Sequence, residues 1–227
     1  MLLLQRKIKM KNQYELYSLA TPNGQKVSIA LEEMGVSYET NTIDITKGEQ
    51  FNEEFLKINP NGKIPALIDP TGDNGKSLPI MESGAILLYL AEKTGKFISK
   101  DPATRSRQLQ WVFFQMGGIG PMFGQFGHFF KYAKDKCTDP YPEQRYAQET
   151  MRLLSVLDSQ LANNEYLAGD EISIADFATA PWVICLTDYY LATDRLELSK
   201  FNYVNNWIKV LRSRPAFVKG LSVCAFN

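Results

Sequence analysis

Apolar residues follow two rhythms along the chain. From Tyr14 to about Phe97, short apolar runs alternate with helical stripes. Tyr14–Ser18 reads as a strand. Thr21-Pro22 then starts a helix, with Thr as N-cap and Pro at the first helical position. Val27, Ala30, Leu31 and Met34 recur at helical spacing, and Gly35 closes the helix. Tyr38–Ile45 predicts a second strand, reached through the crossover helix as a βαβ unit. A short helix over Gln50–Lys57 follows, then a strand over Ile64–Ile68 opened by Pro65. An Asn74-Gly75 turn leads to a strand over Leu78–Met81 and a helix over Ala85–Lys93 that Gly95 ends. From about Ala103 onward the pattern is helical throughout: Thr104–Gln115, Pro142–Asn163, Ser173–Tyr190 and Asn202–Ser213, the last ending before Pro215. Gly117-Gly118 and Pro121 must bend or break the first of these.

The order β-α-β-α-β-β-α is that of a thioredoxin fold. The chain thus reads as α/β plus all-α: an N-terminal thioredoxin-like domain over 13–97, a linker over 98–102 where Asp101-Pro102 favours an extended break, and a C-terminal helical bundle over 103–227. Residues 1–12 read as a disordered extension, with Met1 and Met10 both candidate starts.

Composition narrows the classes. With 44% hydrophobic residues among 227, a sizeable core can form. Lys plus Arg is 25 and Asp plus Glu is 25, so no charge excess points to nucleic acid or to disorder. The three leucines at the N-terminus precede the basic residues rather than follow them, unlike a secretory leader, and no apolar run approaches membrane-spanning length. Cys137, Cys185 and Cys224 are too scattered for a disulfide framework or a zinc site, and no CxxC occurs. A reducing, cytoplasmic setting without a metal is expected, and a self-contained dithiol mechanism is excluded.

Three segments carry chemistry: Ala20–Gly24 at the first strand-to-helix turn, Asn59–Leu67, and Met81–Leu90. The helix opened by Glu82-Ser83 offers free amides and a hydroxyl to a carboxylate, and the Glu82 carboxylate suits an ammonium. Ile64-Pro65 is a candidate cis peptide that turns the Ile64 N–H and C=O outward, ready to pair with an extended peptide. A second carboxylate would meet Gln50 or Lys63. The helix beginning at Thr21 presents its positive end, the Thr21 hydroxyl and Asn23 to a thiolate. One hydrogen bond to a charged acceptor contributes roughly 1.5–3 kcal/mol. That is enough to bring a thiol from about 8.5 to near 7.

From Tyr14 on, the chain resembles the cytosolic glutathione transferases. It is most similar to the bacterial nu class of glutathione-dependent disulfide-bond reductases, which are related to the fungal nitrogen-regulator prion proteins. The matching segments are TPNGQKVSIALEE, KGEQFNEEFLKINPNGKIPALID, ESGAILLYLAEKTG, LQWVFFQMGGIGPMFGQ, SIADFATAPWV and RSRPA. The resemblance implies glutathione contacts at Asn23, Gln50, Ile64, Glu82 and Ser83, with Arg145 reaching in from the helical domain. It implies catalysis by Thr21 and Asn23 in place of the usual tyrosine, serine or cysteine. It also implies a homodimer with the helix around Trp111–Gln115 near the interface, and one glutathione disulfide or two thiols per site. The activity so implied is reduction of a small disulfide by bound glutathione. Conjugation to an electrophile, hydroperoxide reduction and a non-catalytic regulatory role are the alternatives.

Several residues invite a plainer account. Pro65 shapes the fold whether or not a ligand binds. Tyr17 lies four residues before Thr21, where a packed strand tyrosine competes with a thiol contact. Ser173-Ile-Ala-Asp176 reads as a capping box with aspartate in the glutamate position. His128 reads as a partly exposed, noncatalytic residue or as lining an acceptor pocket. Trp182 and Trp207 read as core, and the three cysteines as unreactive.

Overall fold

The computed structural model describes residues 13–226. The expected disordered extension, residues 1–12, lies outside the described residues. Four strands form one sheet: β1 (Tyr14–Ser18), β2 (Tyr38–Thr42), β3 (Ala66–Asp73) and β4 (Lys76–Met81), in the order β2-β1-β3-β4. β1 and β2 are parallel, joined by the crossover helix α1 (Pro22–Met34), and the other two pairings are antiparallel. Helix α2 (Glu53–Ile58) precedes β3, and α3 (Ser83–Thr94) follows β4. Gly35 and Gly95 end α1 and α3 at φ 66° and 67°, conformations that glycine adopts without strain. Asn74 and Gly75 both have positive φ, as a tight β3–β4 hairpin requires.

The helical half comprises α4 (Pro102–Phe114), α5 (Gly120–Gly127), α6 (Pro140–Leu161), α7 (Ile174–Asp188), α8 (Asn202–Arg212) and α9 (Pro215–Leu221). Gly117-Gly118 and Pro121 act where expected, yet the chain does not break. It widens into a π turn over Gln115–Ile119 and continues into α5. One expectation needs correction. The helix expected over Gln50–Lys57 is a 3₁₀ turn, Glu49–Phe51, followed by α2, because Asn52 takes an extended conformation (ψ 140°) between them. The last expected helix does end before Pro215, as α8 at Arg212, and Pro215 then opens a further helix, α9.

Helix α9 covers the outer face of α1. A Cβ at Gly220 would lie 2.5 Å from the Ile29 Cα, so the two backbones touch directly. Ser28 Oγ donates to the Gly220 carbonyl (2.7 Å), Gln25 Nε2 to that of Leu221 (2.9 Å), and the Ala20 N–H to that of Cys224 (2.8 Å). Arg214, from the RSRPA segment, forks onto both oxygens of the nearly buried Glu33 carboxylate at 2.8 and 2.6 Å. Helix α1 is thus clamped between the sheet and the helical half.

At the start of α7, Asp176 completes the expected capping box and does more. Its fully buried carboxylate accepts from Ser173 N–H, Ser173 Oγ, Leu167 N–H and Trp207 Nε1–H, all within 3.2 Å. Burial pushes its carboxyl up to about 6, against the pull of these four donors. Trp207 is core, as expected, with its indole N–H spent on this carboxylate.

Candidate functional site

Strand register decides where the three segments meet. Tyr17 pairs with Ala66, and Ala66 pairs in turn with Met81. Ser18 pairs with Thr42. The exit of β1, the exit of β2, the start of β3 and the exit of β4 therefore lie at one end of the sheet. The turns leading to Thr21, Gln50, Pro65 and Glu82 converge there.

Thr21 is the N-cap of α1, in extended conformation, with its Oγ1 accepting from Gly24 N–H at 3.4 Å. The cap uses a lone pair and leaves the hydroxyl proton available. Gly24 is required by the turn: a Cβ there would lie 2.0 Å from the Leu19 carbonyl oxygen. Asn23, in the first turn, accepts at Oδ1 from the Trp182 indole N–H (3.0 Å). An indole N–H only donates, so the amide oxygen must face it and the NH₂ is left for another partner. Trp182 is buried as expected, but it also aims Asn23 from the helical half.

The bond between Ile64 and Pro65 is cis, as expected. The loop before it is held by buried Asn59, whose Nδ2 donates to the Lys63 carbonyl (2.6 Å) and whose Oδ1 accepts from Asn61 N–H (3.0 Å). The Lys63 side chain is exposed. Gln50 Oε1 is buried with no partner among the described residues. Glu82 is the N-cap of α3 at φ 69°, a strained value for a side-chain-bearing residue, and no side chain caps the helix. The first amides of α3 are thus open to an anion, with buried Ser83 beside them.

Behind Ser83 lies a residue that the sequence reading passed over. Lys26, one turn after Asn23, is 1% exposed, and its ammonium reaches Gln115 Oε1 (2.6 Å), Ser83 Oγ (3.3 Å) and Met116 Sδ (3.4 Å). The available signal was its position: residues 26, 30 and 34 form one i, i+4 row of the apolar stripe.

Tyr17, Cys185 and Cys224 fall on the plain side. The Tyr17 hydroxyl donates to Glu15 Oε2 (3.0 Å), and burial pushes the phenol up to about 12, away from any thiolate-like role. His128 is exposed and meets Phe129 edge-on. Arg145 is exposed on α6. Burial pushes the Cys185 thiol up to about 12 and raises that of Cys224, the opposite of an activated nucleophile.

A thioredoxin-like sheet whose helix starts gather at one end, backed by a helical bundle, defines a class. The chain belongs to the glutathione S-transferase family: its N-terminal domain model matches residues 12–92 and its C-terminal domain model residues 121–215. Among its relatives is the disulfide-bond oxidoreductase YfcG of Escherichia coli, 47% identical over 89% of this chain and 91% of that one. Another is the E. coli disulfide-bond oxidoreductase YghU, 43% identical over 96% of this chain and 77% of that protein. A Pseudomonas putida glutathione transferase solved with one glutathione disulfide per subunit has a TM-score of 0.92 at 46% identity, covering 96% of this chain and 94% of its own. One from Burkholderia graminis with two glutathiones per subunit has a TM-score of 0.91 at 50% identity, covering 93% and 88%.

Proposed function

We propose that the protein is a glutathione-dependent disulfide-bond reductase in which the reducing thiol belongs to the ligand. The observation that carries this reading is the start of α1: a free hydroxyl proton on Thr21, an amide NH₂ on Asn23 and the positive helix end, with no cysteine in the turn. The γ-glutamyl carboxylate sits on Ser83 and the α3 amides, its ammonium near Glu82. The cysteinyl backbone pairs with Ile64 beside Pro65, and the glycine carboxylate meets Gln50 or Lys63. Arg145 approaches from α6. The uncapped α3 amides and the unpartnered, buried Gln50 Oε1 fit a site that a polar ligand completes.

Thr21 and Asn23 lower the thiol into its thiolate form. The thiolate attacks one sulfur of a small disulfide; a new S–S bond forms and the other sulfur leaves as a thiolate, which takes a proton. A second glutathione thiolate attacks the mixed disulfide, releases the second substrate thiol and leaves as glutathione disulfide. Two electrons pass from two glutathiones to the substrate. The protein contributes position and charge stabilisation.

We take 13–97 and 103–227 as the working domains, joined over 98–102, in a cytoplasmic protein. No helix among the described residues is long and apolar enough to cross a membrane. A homodimer contact on α4 is supported by Phe113, which is 68% exposed. The test of function is steady-state reduction of 2-hydroxyethyl disulfide by glutathione, coupled to glutathione reductase, beside a chlorodinitrobenzene assay. Strong disulfide turnover with weak conjugation is expected. The reverse pattern makes the protein a conventional transferase, and glutathione binding without turnover makes it a binding protein.

A further inference from the structure

Among the described residues, Lys26 is an ammonium that the fold buries without an ion-pair partner. Among the described residues its hydrogen-bond partners are Ser83, Gln115 and Met116, none of them a carboxylate. Burying such a charge is costly, and an apolar side chain of similar length would fill the space at less expense. Gln115 carries the same message. Its Oε1 faces Lys26 and its Nε2 is buried with no partner among the described residues. Turning the amide round would set donor against donor, so the orphaned Nε2 follows from a cationic Nζ.

We propose that Lys26 is a positioning residue of the glutathione site: its ammonium holds the Ser83 oxygen from behind, turns the hydroxyl proton toward the ligand, and supplies the positive charge that the γ-glutamyl carboxylate meets through Ser83. The proposal rests on the glutathione reading given above. An ammonium only donates, so the Ser83 oxygen accepts from it and the hydroxyl proton points elsewhere. Its nearest acceptor is the Met116 sulfur at 3.8 Å, a weak one that a carboxylate would displace. A hydroxyl polarised by a cation makes a stronger donor. The groups around Nζ are Ser83 and Glu82 from the start of α3 and Gln115 and Met116 from the π turn; Glu82 is the charged one, and it acts at longer range.

Geometry and charge then predict a linked proton. Burial pulls the Lys26 ammonium down to about 7, with Glu82 pushing the other way. A ligand carboxylate favours the charged form, so binding above neutral pH takes up a proton. The probe is S-methylglutathione, which has no thiol to titrate. Its binding is measured by calorimetry at about pH 8, in two buffers of different ionisation enthalpy, for wild type and Lys26→Met. Because a group titrating at about 7 is mostly neutral there, uptake of up to about 0.9 proton per ligand is expected in wild type. Uptake should vanish in Lys26→Met, with Kd raised about five- to twentyfold near pH 6.5, a gap that narrows as pH rises. Equal uptake in both proteins, or none in wild type, overturns the proposal while the glutathione reading stands. If neither folded protein binds the probe, that reading fails and takes this one with it. If Lys26→Met does not fold, Ser83→Ala decides: it should lose most of the uptake, and full uptake there overturns the proposal.

Discussion

On the proposed reading Thr21 carries two duties on one oxygen, and substitution separates them. Its lone pair caps α1 at Gly24 N–H, and its proton is free to meet a thiolate. Thr21→Val removes both. The lost cap costs about 1 kcal/mol, which for a chain of this size lowers Tm by about 2–4 °C. The lost donor to a charged sulfur costs about 1.5–3 kcal/mol, or about 10- to 150-fold in kcat/KM for disulfide reduction. Thr21→Ser keeps both and should stay within about threefold of wild type. Thr21→Asp keeps a good cap but sets a carboxylate beside the thiolate, so stability holds while turnover falls at least as far as in the valine variant. The assay is coupled 2-hydroxyethyl disulfide reduction, paired with the ultraviolet titration of bound glutathione. The bound thiol should titrate near 7 in wild type and return toward about 8.5 in Thr21→Val. If Thr21→Val loses stability alone, or if Thr21→Asp turns over as fast as Thr21→Ser, the hydroxyl is only a helix cap and the thiolate donor lies elsewhere.

Trp182→Phe removes the indole N–H that fixes the Asn23 amide; kcat/KM should fall about fivefold, and adding the change to Asn23→Ala should lower it little further, a non-additivity that a double-mutant cycle measures. Asp176→Ala leaves the buried N–H groups of Leu167, Ser173 and Trp207 without their acceptor, for a loss on the order of 4 kcal/mol in chemical denaturation, while the folded fraction keeps its glutathione Kd. Normal stability with lost binding would count against the structural role. Cys224→Ser should leave disulfide turnover within about twofold, since burial holds that thiol in its protonated form; loss of the activity would move the nucleophile from ligand to protein. Lys26 also sets a stability trend: its ammonium is depressed in the folded state to about 7, so above that pH the unfolded chain binds more protons and folding strengthens as pH rises toward the ordinary lysine range. Denaturation midpoints of wild type against Lys26→Met across that range should show a slope in the first that is missing from the second.

What could be read from the sequence was local. The glycines that close α1 and α3, the proline entering β3 and the Ser173–Asp176 box act within a few residues of themselves, and each fell where expected. What could not be read depends on partners far along the chain. Trp182 meets Asn23 across 159 residues, and Lys26 meets Gln115 across 89. A lysine in the second turn of a helix looks solvated until a π turn is laid over it. Helix α9 is too short to hold itself and carries a glycine; it exists because that glycine lets it press against Ile29. The 3₁₀ turn before α2 escaped notice because the apolar spacing of Phe51 and Phe55 fits one continuous helix, and only the extended Asn52 interrupts it.

The carbonyls that back α1 belong to Gly220, Leu221 and Cys224, with 192 residues between Ser28 and its partner and 196 between Gln25 and its own. In the order of synthesis, the helix proposed to face the thiol is among the first to leave the ribosome and among the last to be supported. A nascent chain halted before Arg214 already carries every residue proposed to touch glutathione, but the Glu33 carboxylate lacks its Arg214 partner and the inner turn holding Ala20 has no carbonyl to rest against. On the proposed reading, the thiol site gains its full support only after α9 has been made.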